Sequence, residues 1–167
     1  MTGVYTPPSQ ATNTPTSATP AGTLSTPAAV DRIVDYFETL SPECVAQIGN
    51  LYGAQARFLD PFNDVVGVPA ISGIFEHMFT ALHEPRFVVT QRIVQGQQCF
   101  LTWDFHFRFR NFQKETPQII CGGSHLVFSE DGLVTLHRDY WDAAAELYEK
   151  LPVVGSLMRW LRRRANS

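Results

Sequence analysis

Charge is absent from the first 27 residues of this 167-residue chain. The stretch MTGVYTPPSQATNTPTSATPAGTLSTP is dominated by Thr, Pro, Ser and Ala and offers little to bury. Burial there cannot offset the entropy of ordering the backbone, which predicts a disordered tail over 1–27. Cysteine is also scarce. Cys44, Cys99 and Cys121 are scattered without a C-x-x-C pair, which predicts reduced thiols in a cytoplasmic protein. There is no apolar run of about 18 residues, so no membrane-spanning helix is expected, and the N-terminus lacks the basic and apolar regions of a signal peptide.

Other absences narrow the chemistry. Cys121-Gly122-Gly123 lacks the Lys and the strand-loop-helix setting of a phosphate loop. The Gly-x-Ser-x-Gly and Ser-x-x-Lys patterns of serine hydrolases are missing. The five His residues show no ligand spacing, so neither a metal nor a cofactor is expected. Basic charge is sparse outside the last nine residues, which hold Arg159, Arg162, Arg163 and Arg164. Without those four, 9 basic residues face 16 acidic ones, against a net charge of −3 for the whole chain. A nucleic-acid partner is therefore not expected.

What is abundant is apolar and aromatic. Hydrophobic residues make up 44% of the chain, and 12 residues are Phe. Such a core either encloses a cavity or simply packs well. Thr26-Pro27 reads as a helix start, followed by Val30, Ile33, Val34, Phe37 and Leu40 at helical spacing. Ser41-Pro42-Glu43 opens a second helix through Val45, Ile48 and Leu51. Residues 54–60 read as a short strand ending at Asp60, and 69–82 as a third helix. The period then changes to two. RFVVTQRIVQ, CFLTWDFHFRFRNF, QIICGGSHLVF and LVTLHRDYW read as successive strands, with a last helix over about 142–151. In the second of these strands Trp103, Phe105 and Phe107 share a face with Leu101 and Phe109, opposite Asp104, His106 and Arg108. Segregated helices and hairpins predict an α+β domain, its curved antiparallel sheet wrapped around N-terminal helices to form a cone with an internal pocket.

RFLDPF, residues 57–62, places a carboxylate between apolar neighbours. Asp60 either caps a turn at a strand end, as Asp-Pro often does, or is kept partly dehydrated as a base. Tyr36 lies beside the apolar stripe of its helix. His137 shares a face with Leu133, Thr135, Asp139 and Trp141 if the strand alternates strictly. That would make His137 either a proton shuttle or a satisfied core histidine. Asp139 and Asp142 either orient His137 or cap the helix that follows, and capping suits Asp142 better. His77 with Glu76 reads as a solvent-side pair, and His125 as outward-facing.

The order of these pieces resembles the nuclear transport factor 2-like superfamily and, within it, the SnoaL-like and ketosteroid-isomerase-like group. VDRIVDYFETL, RFLDPF with VGVPAISGIFEHMF, and SHLVFSEDGLVTLHRDYW carry the likeness, which covers about 28–142. The resemblance implies a cone-shaped domain. It also implies that Asp60, at the carboxylate-Pro strand end, is a general base, and that Tyr36 donates a hydrogen bond to an enolate. The family's acidic donor position falls on Ser124, a weaker donor. On this reading Asp60, Tyr36 and His137 are the catalytic residues. Ser124, Trp103, Phe105, Phe107, Trp141 and Asp139 bind a small hydrophobic carbonyl compound, and the chain is an isomerase or cyclase working without a cofactor. The rival expectations are a hydrophobic-ligand binder without turnover, or an interaction domain. A homodimer through the sheet is expected. Residues 153–167, apolar on one side with a basic end, would contact a membrane surface or pack on the domain.

Overall fold

The computed structural model describes residues 26–111, 114–146 and 164. The expected tail up to residue 25, most of the expected last helix and the basic segment lie outside the described residues.

Helix α1, Thr26–Glu38, buries Val30, Ile33, Val34 and Phe37 on one side. These residues recur every three or four positions, so a single stripe of the helix meets the sheet. Its opposite side carries Asp31, Arg32 and Glu38, and each of these ties the helix to the strands. Asp31 pairs with Arg92 at 2.7 Å, Arg32 donates to the Gly132 carbonyl at 3.0 Å, and Glu38 accepts the Val89 N–H at 2.9 Å. The expected second helix is only a short 3-10 segment, Val45–Asn50. It does not start at Ser41-Pro42 as expected: residues 42–44 form a turn, Cys44 stands at the N-cap, and the strand beginning at Tyr52 leaves no room for a full helix.

Strand β1, Tyr52–Leu59, turns back through residues 60–63 into β2, Asp64–Val66, which the sequence reading missed. Helix α2, Val68–Ala81, follows Gly67, whose φ of 93° favours glycine. Strands β3, Leu82–Gln95, β4, Gln98–Phe109, β5, Gln118–Phe128, and β6, Val134–Tyr140, then form an antiparallel meander. Helix α3, Ala143–Glu146, begins where Asp142 accepts the N–H groups of Ala144 and Ala145, both at 3.0 Å.

The sheet order is β2-β1-β6-β5-β4-β3. The expected all-antiparallel sheet is corrected at one place: β1 runs parallel to β6, with Phe58 beside His137. That pairing joins the chain's early strand to its last one and brings side chains 85 positions apart into contact. The six strands curve around α1 and α2 without closing, and a core of Ile33, Val34, Ile48, Tyr52, Ile71 and Leu126 fills the narrow end. The alternation of β4 holds, with Leu101, Trp103, Phe105 and Phe107 buried.

Gly122 and Gly123 matter for what lies over them. A Cβ at Gly122 would stand 2.3 Å from Trp103 Cη2 on the inner face, and one at Gly123 would stand 2.7 Å from Phe100 Cζ on the outer face. Two adjacent glycines thus let one ring press against each side of the same strand.

Candidate functional site

Four neighbouring strands bring polar side chains to the inner face. Ser124 on β5 is the direct cross-strand partner of Asp139 on β6, and His137 lies two residues before Asp139 on the same face. Trp103 reaches in from β4, and Tyr52 from the start of β1. The strict alternation expected for β6 fails at Thr135. The pairing with β5 is irregular between Val127 and Phe128, and Thr135 turns outward to donate to the Val127 carbonyl. His137 and Asp139 share a face, but Thr135 does not.

These five residues form a continuous hydrogen-bonded chain. The Trp103 indole N–H donates to Ser124 Oγ at 2.8 Å, and the Ser124 hydroxyl donates to Asp139 Oδ1 at 2.5 Å. His137 Nε2 lies 2.8 Å from the same Oδ1, and its Nδ1 lies 2.5 Å from the Tyr52 hydroxyl. The directions follow from the donors available. Tyr52 is fully enclosed. Burial, followed by the nearby Asp139 and Tyr36, holds its phenol well above the ordinary tyrosine range, so it keeps its proton. Nδ1 is the one acceptor that the enclosed hydroxyl reaches among the described residues, so its O–H donates there, which leaves the ring proton of His137 on Nε2, pointing at Asp139. Both hydrogen bonds to Asp139 fall on Oδ1. Oδ2 has no protein partner among the described residues.

Asp139 also borders three hollows, two of them on the inner side of the sheet beside the polar cluster and one, more open, shared with Asp60 and Arg138. A cavity of about 30 Å³ is lined by Ser124, His137, Asp139 and apolar residues of α1, α2 and the sheet, with room for one or two water molecules. A larger cavity of about 370 Å³ opens beyond it. Phe75, Phe87, Trp103 and Asp139 belong to both walls. The larger one is bounded mainly by rings, including Phe105, Phe107 and Trp141, with Asp60 and His77 as further polar residues.

Of the residues singled out in the sequence, Ser124, Trp103, His137 and Asp139 meet in the hydrogen-bonded cluster. Phe105, Phe107, Trp141 and Asp60 line the larger cavity. Asp60 is engaged by its own turn. Its Oδ1 accepts the Phe62 N–H at 2.7 Å and the Asn63 N–H at 2.6 Å, while the Asn63 side chain reaches both carboxylate oxygens. Tyr36 lines neither cavity. Its hydroxyl donates to the Cys44 carbonyl at 3.0 Å, and burial pushes its pKa up to about 12. His125 faces outward and meets Gln98 at 2.8 Å.

One residue of the cluster escaped the sequence reading, and one surface residue proved to border the larger cavity. Tyr52 lay between a helix read too long and a strand read as starting at 54. The alternation of Phe58 and Ala56, carried back four positions, reaches it, although irregular pairing between Tyr52 and Arg57 obscures that signal. His77 is exposed, as expected, yet it also borders the larger cavity.

The SnoaL-like domain family matches residues 33–137, which is most of the described fold. This chain belongs to the SnoaL-like family. No curated protein matches the sequence. Solved structures agree on the cone. A protein of ketosteroid-isomerase-like fold from Catenulispora acidiphila, solved with trimethylamine, superposes with a TM-score of 0.62 at 17% identity, covering 74% of this chain and 92% of its own. A candidate SnoaL-like polyketide cyclase from Jannaschia gives 0.61 at 15% identity, covering 72% and 87%. A candidate isomerase of the SnoaL-like family from Agrobacterium tumefaciens gives 0.55 at 14% identity, covering 68% and 94%. At these identities the likeness establishes the SnoaL-like cone. Among the described residues, no helix is long and apolar enough to cross a membrane, and no disulfide links Cys44, Cys99 or Cys121.

Proposed function

We propose that this SnoaL-like protein transfers a proton on a hydrophobic carbonyl compound, as an isomerase or cyclase does, with Asp139 as the acceptor. The observation that carries this is the asymmetric carboxylate of Asp139. Ser124 and His137 hold Oδ1, Oδ2 accepts no hydrogen bond among the described residues, and Asp139 borders the ring-lined cavity. A carboxylate fixed by one oxygen keeps its other lone pairs aimed, so little reorganisation precedes the reaction. In the step itself, Oδ2 takes the proton from a carbon next to the carbonyl. The bonding pair moves into the enolate, and the proton returns at another carbon. The rings exclude water from that exchange. Asp60 is the rival base, but its oxygens already serve four hydrogen bonds in the 60–63 turn. The Catenulispora protein of the same fold was solved in complex with trimethylamine, a small molecule, which supports a small-molecule ligand here.

The test is α-proton exchange in deuterium oxide, read by mass spectrometry. The panel comprises hydrophobic ketones and β-diketones, with and without amino substituents. Exchange above the uncatalysed rate is expected, falling about 100-fold or more in Asp139→Asn and surviving in Asp60→Asn. The reverse pattern would transfer the role to Asp60. One observation favours a second reading, binding without turnover. The donors nearest Asp139 are already spent, with the Ser124 O–H on Asp139 and the Trp103 N–H on Ser124. On that reading no member of the panel exchanges, yet the cavity still binds.

Pairing of two copies through the outer sheet face remains a proposal for light scattering to test. Membrane contact through residues 153–167, which lie outside the described residues except for residue 164, is tested by liposome co-sedimentation of the full chain against one ending at 152.

A further inference from the structure

No Lys or Arg pairs with Asp139 among the described residues, and its one ion-pair contact, His137, is charged only with two ring protons. Ser124 and Trp103 are neutral, and His137 is the one ionisable side chain hydrogen-bonded to it. Tyr52 decides the charge of that neighbour. A phenol is protonated at neutral pH, and its O–H, 2.5 Å from Nδ1, requires a lone pair there. A ring with a lone pair on Nδ1 carries one proton, on Nε2, and is neutral. A second ring proton would leave the buried Tyr52 O–H without an acceptor among the described residues. The larger cavity repeats the same sign, since its wall adds the carboxylate of Asp60 and no Lys or Arg among the described residues; Arg138 borders a separate, more open hollow that Asp60 and Asp139 also line. The larger cavity is therefore negative at Asp139 and at Asp60, and apolar across most of the remaining wall. A carboxylate drawn out of water favours a cation beside it more strongly than one in bulk solvent.

We propose that the ligand of this cavity is a hydrophobic cation, an apolar body bearing a protonated or quaternary amine seated toward Asp139 Oδ2, and that Tyr52 enforces the choice by keeping His137 uncharged. The inference rests on reading the cavity as the ligand site, and it does not require turnover. It also meets a chemical need of the reaction. Removing a proton from carbon pushes an electron pair onto the carbonyl oxygen, and the Ser124, Trp103 and Tyr36 donors already serve other acceptors. A positive charge carried by the substrate next to the reacting carbon stabilises that developing negative charge without a protein donor.

The test uses two probes of nearly the same shape, benzyltrimethylammonium and its neutral isostere neopentylbenzene. Binding to the full chain is followed by tryptophan fluorescence and calorimetry. The cation is expected to bind about tenfold more tightly. Asp139→Asn should collapse that ratio toward one. Tyr52→Phe should reduce it, although Tyr52 lines neither cavity, because Nδ1 is then open to a second proton beside Asp139. Equal or tighter binding of the neutral probe to the unaltered protein overturns the proposal, and that measurement stands even if a variant fails to fold. An unchanged ratio in a folded Asp139→Asn overturns it as well, and an unchanged ratio in a folded Tyr52→Phe overturns the part given to Tyr52. Cation preference without deuterium exchange sinks the catalytic reading alone. Exchange on neutral ketones without cation preference sinks this one alone.

Discussion

The indole of Trp103 lies across the α-carbon of Gly122, its direct partner on the neighbouring strand, so closely that a methyl group there would stand 2.3 Å from Cη2. The same indole donates to Ser124, so the missing side chain at 122 positions the ring that anchors the polar cluster. Gly122→Ala should push the ring out of place and break that bond. We expect a loss of about 1–3 kcal/mol in urea unfolding, the usual cost of forcing volume into a packed core, with a shift in tryptophan emission. Unchanged stability and emission would mean that the ring has room the structure does not show.

Tyr52 and His137 give a second stability prediction. Phe in place of Tyr52 keeps the ring and removes the hydroxyl, leaving Nδ1 of a buried histidine without its donor. A cost of about 1–3 kcal/mol is expected, measured by the urea midpoint at constant slope. In the double variant Tyr52→Phe/His137→Leu, the penalty for the unpaired nitrogen should disappear from the Tyr52 contribution. Strict additivity of the two changes would argue against a coupled pair.

The cone was legible because its signals are local and periodic. The α1 stripe ending at Phe37, the β4 row of Leu101, Trp103, Phe105 and Phe107, and the Gly96 turn all follow from side-chain spacing, and all three are present. The site was less legible because long-range pairing makes it. Nothing near Tyr52 in the sequence indicates that β1 will lie parallel to β6 and bring its hydroxyl to a histidine 85 residues away. Irregular pairing also hides parity, and so Thr135 was placed on the wrong face. Asp60 was found for its unusual neighbours, but its hydrogen bonds depend on Asn63, whose role becomes visible only once the 60–63 turn is drawn.

Alkali should expose the buried weak acids. Burial, only partly opposed by the nearby Arg92 guanidinium, raises the Cys99 thiol from 9.0 to about 11. Burial also holds Tyr52 well above 10.0. In both groups the folded state holds the proton more tightly than the unfolded chain does. Their stabilisation is therefore complete below pH 9 and is lost as pH rises, for Cys99 between pH 9 and about 11 and for Tyr52 from pH 10 upward. Urea midpoints should show no loss from these groups between pH 7 and 9 and a decline above that. Cys99→Ala should flatten the first part of the decline. The same protection predicts that a thiol reagent at pH 8 labels exposed Cys121 well before Cys99. Simultaneous labelling would indicate that the core around Cys99 opens readily.

Asp60 offers the sharpest separation of structure from chemistry. Its oxygens hold the backbone of Phe62 and Asn63, and Phe62 packs edge-on against Trp141 with ring centroids 5.4 Å apart, both rings bordering the larger cavity. Asn at position 60 can still accept those backbone N–H groups, because Asn forms the same turn as Asp. Ala cannot. If Asp60 mainly staples the turn, Asp60→Ala should lose about 1–2 kcal/mol and loosen the Phe62–Trp141 contact, while Asp60→Asn stays within about 0.5 kcal/mol of the parent and keeps deuterium exchange. If Asp60 is the base, Asp60→Asn should keep stability and lose exchange. Urea midpoints and exchange rates for the two variants decide between these outcomes, because the carboxylate charge serves the second role and is dispensable for the first.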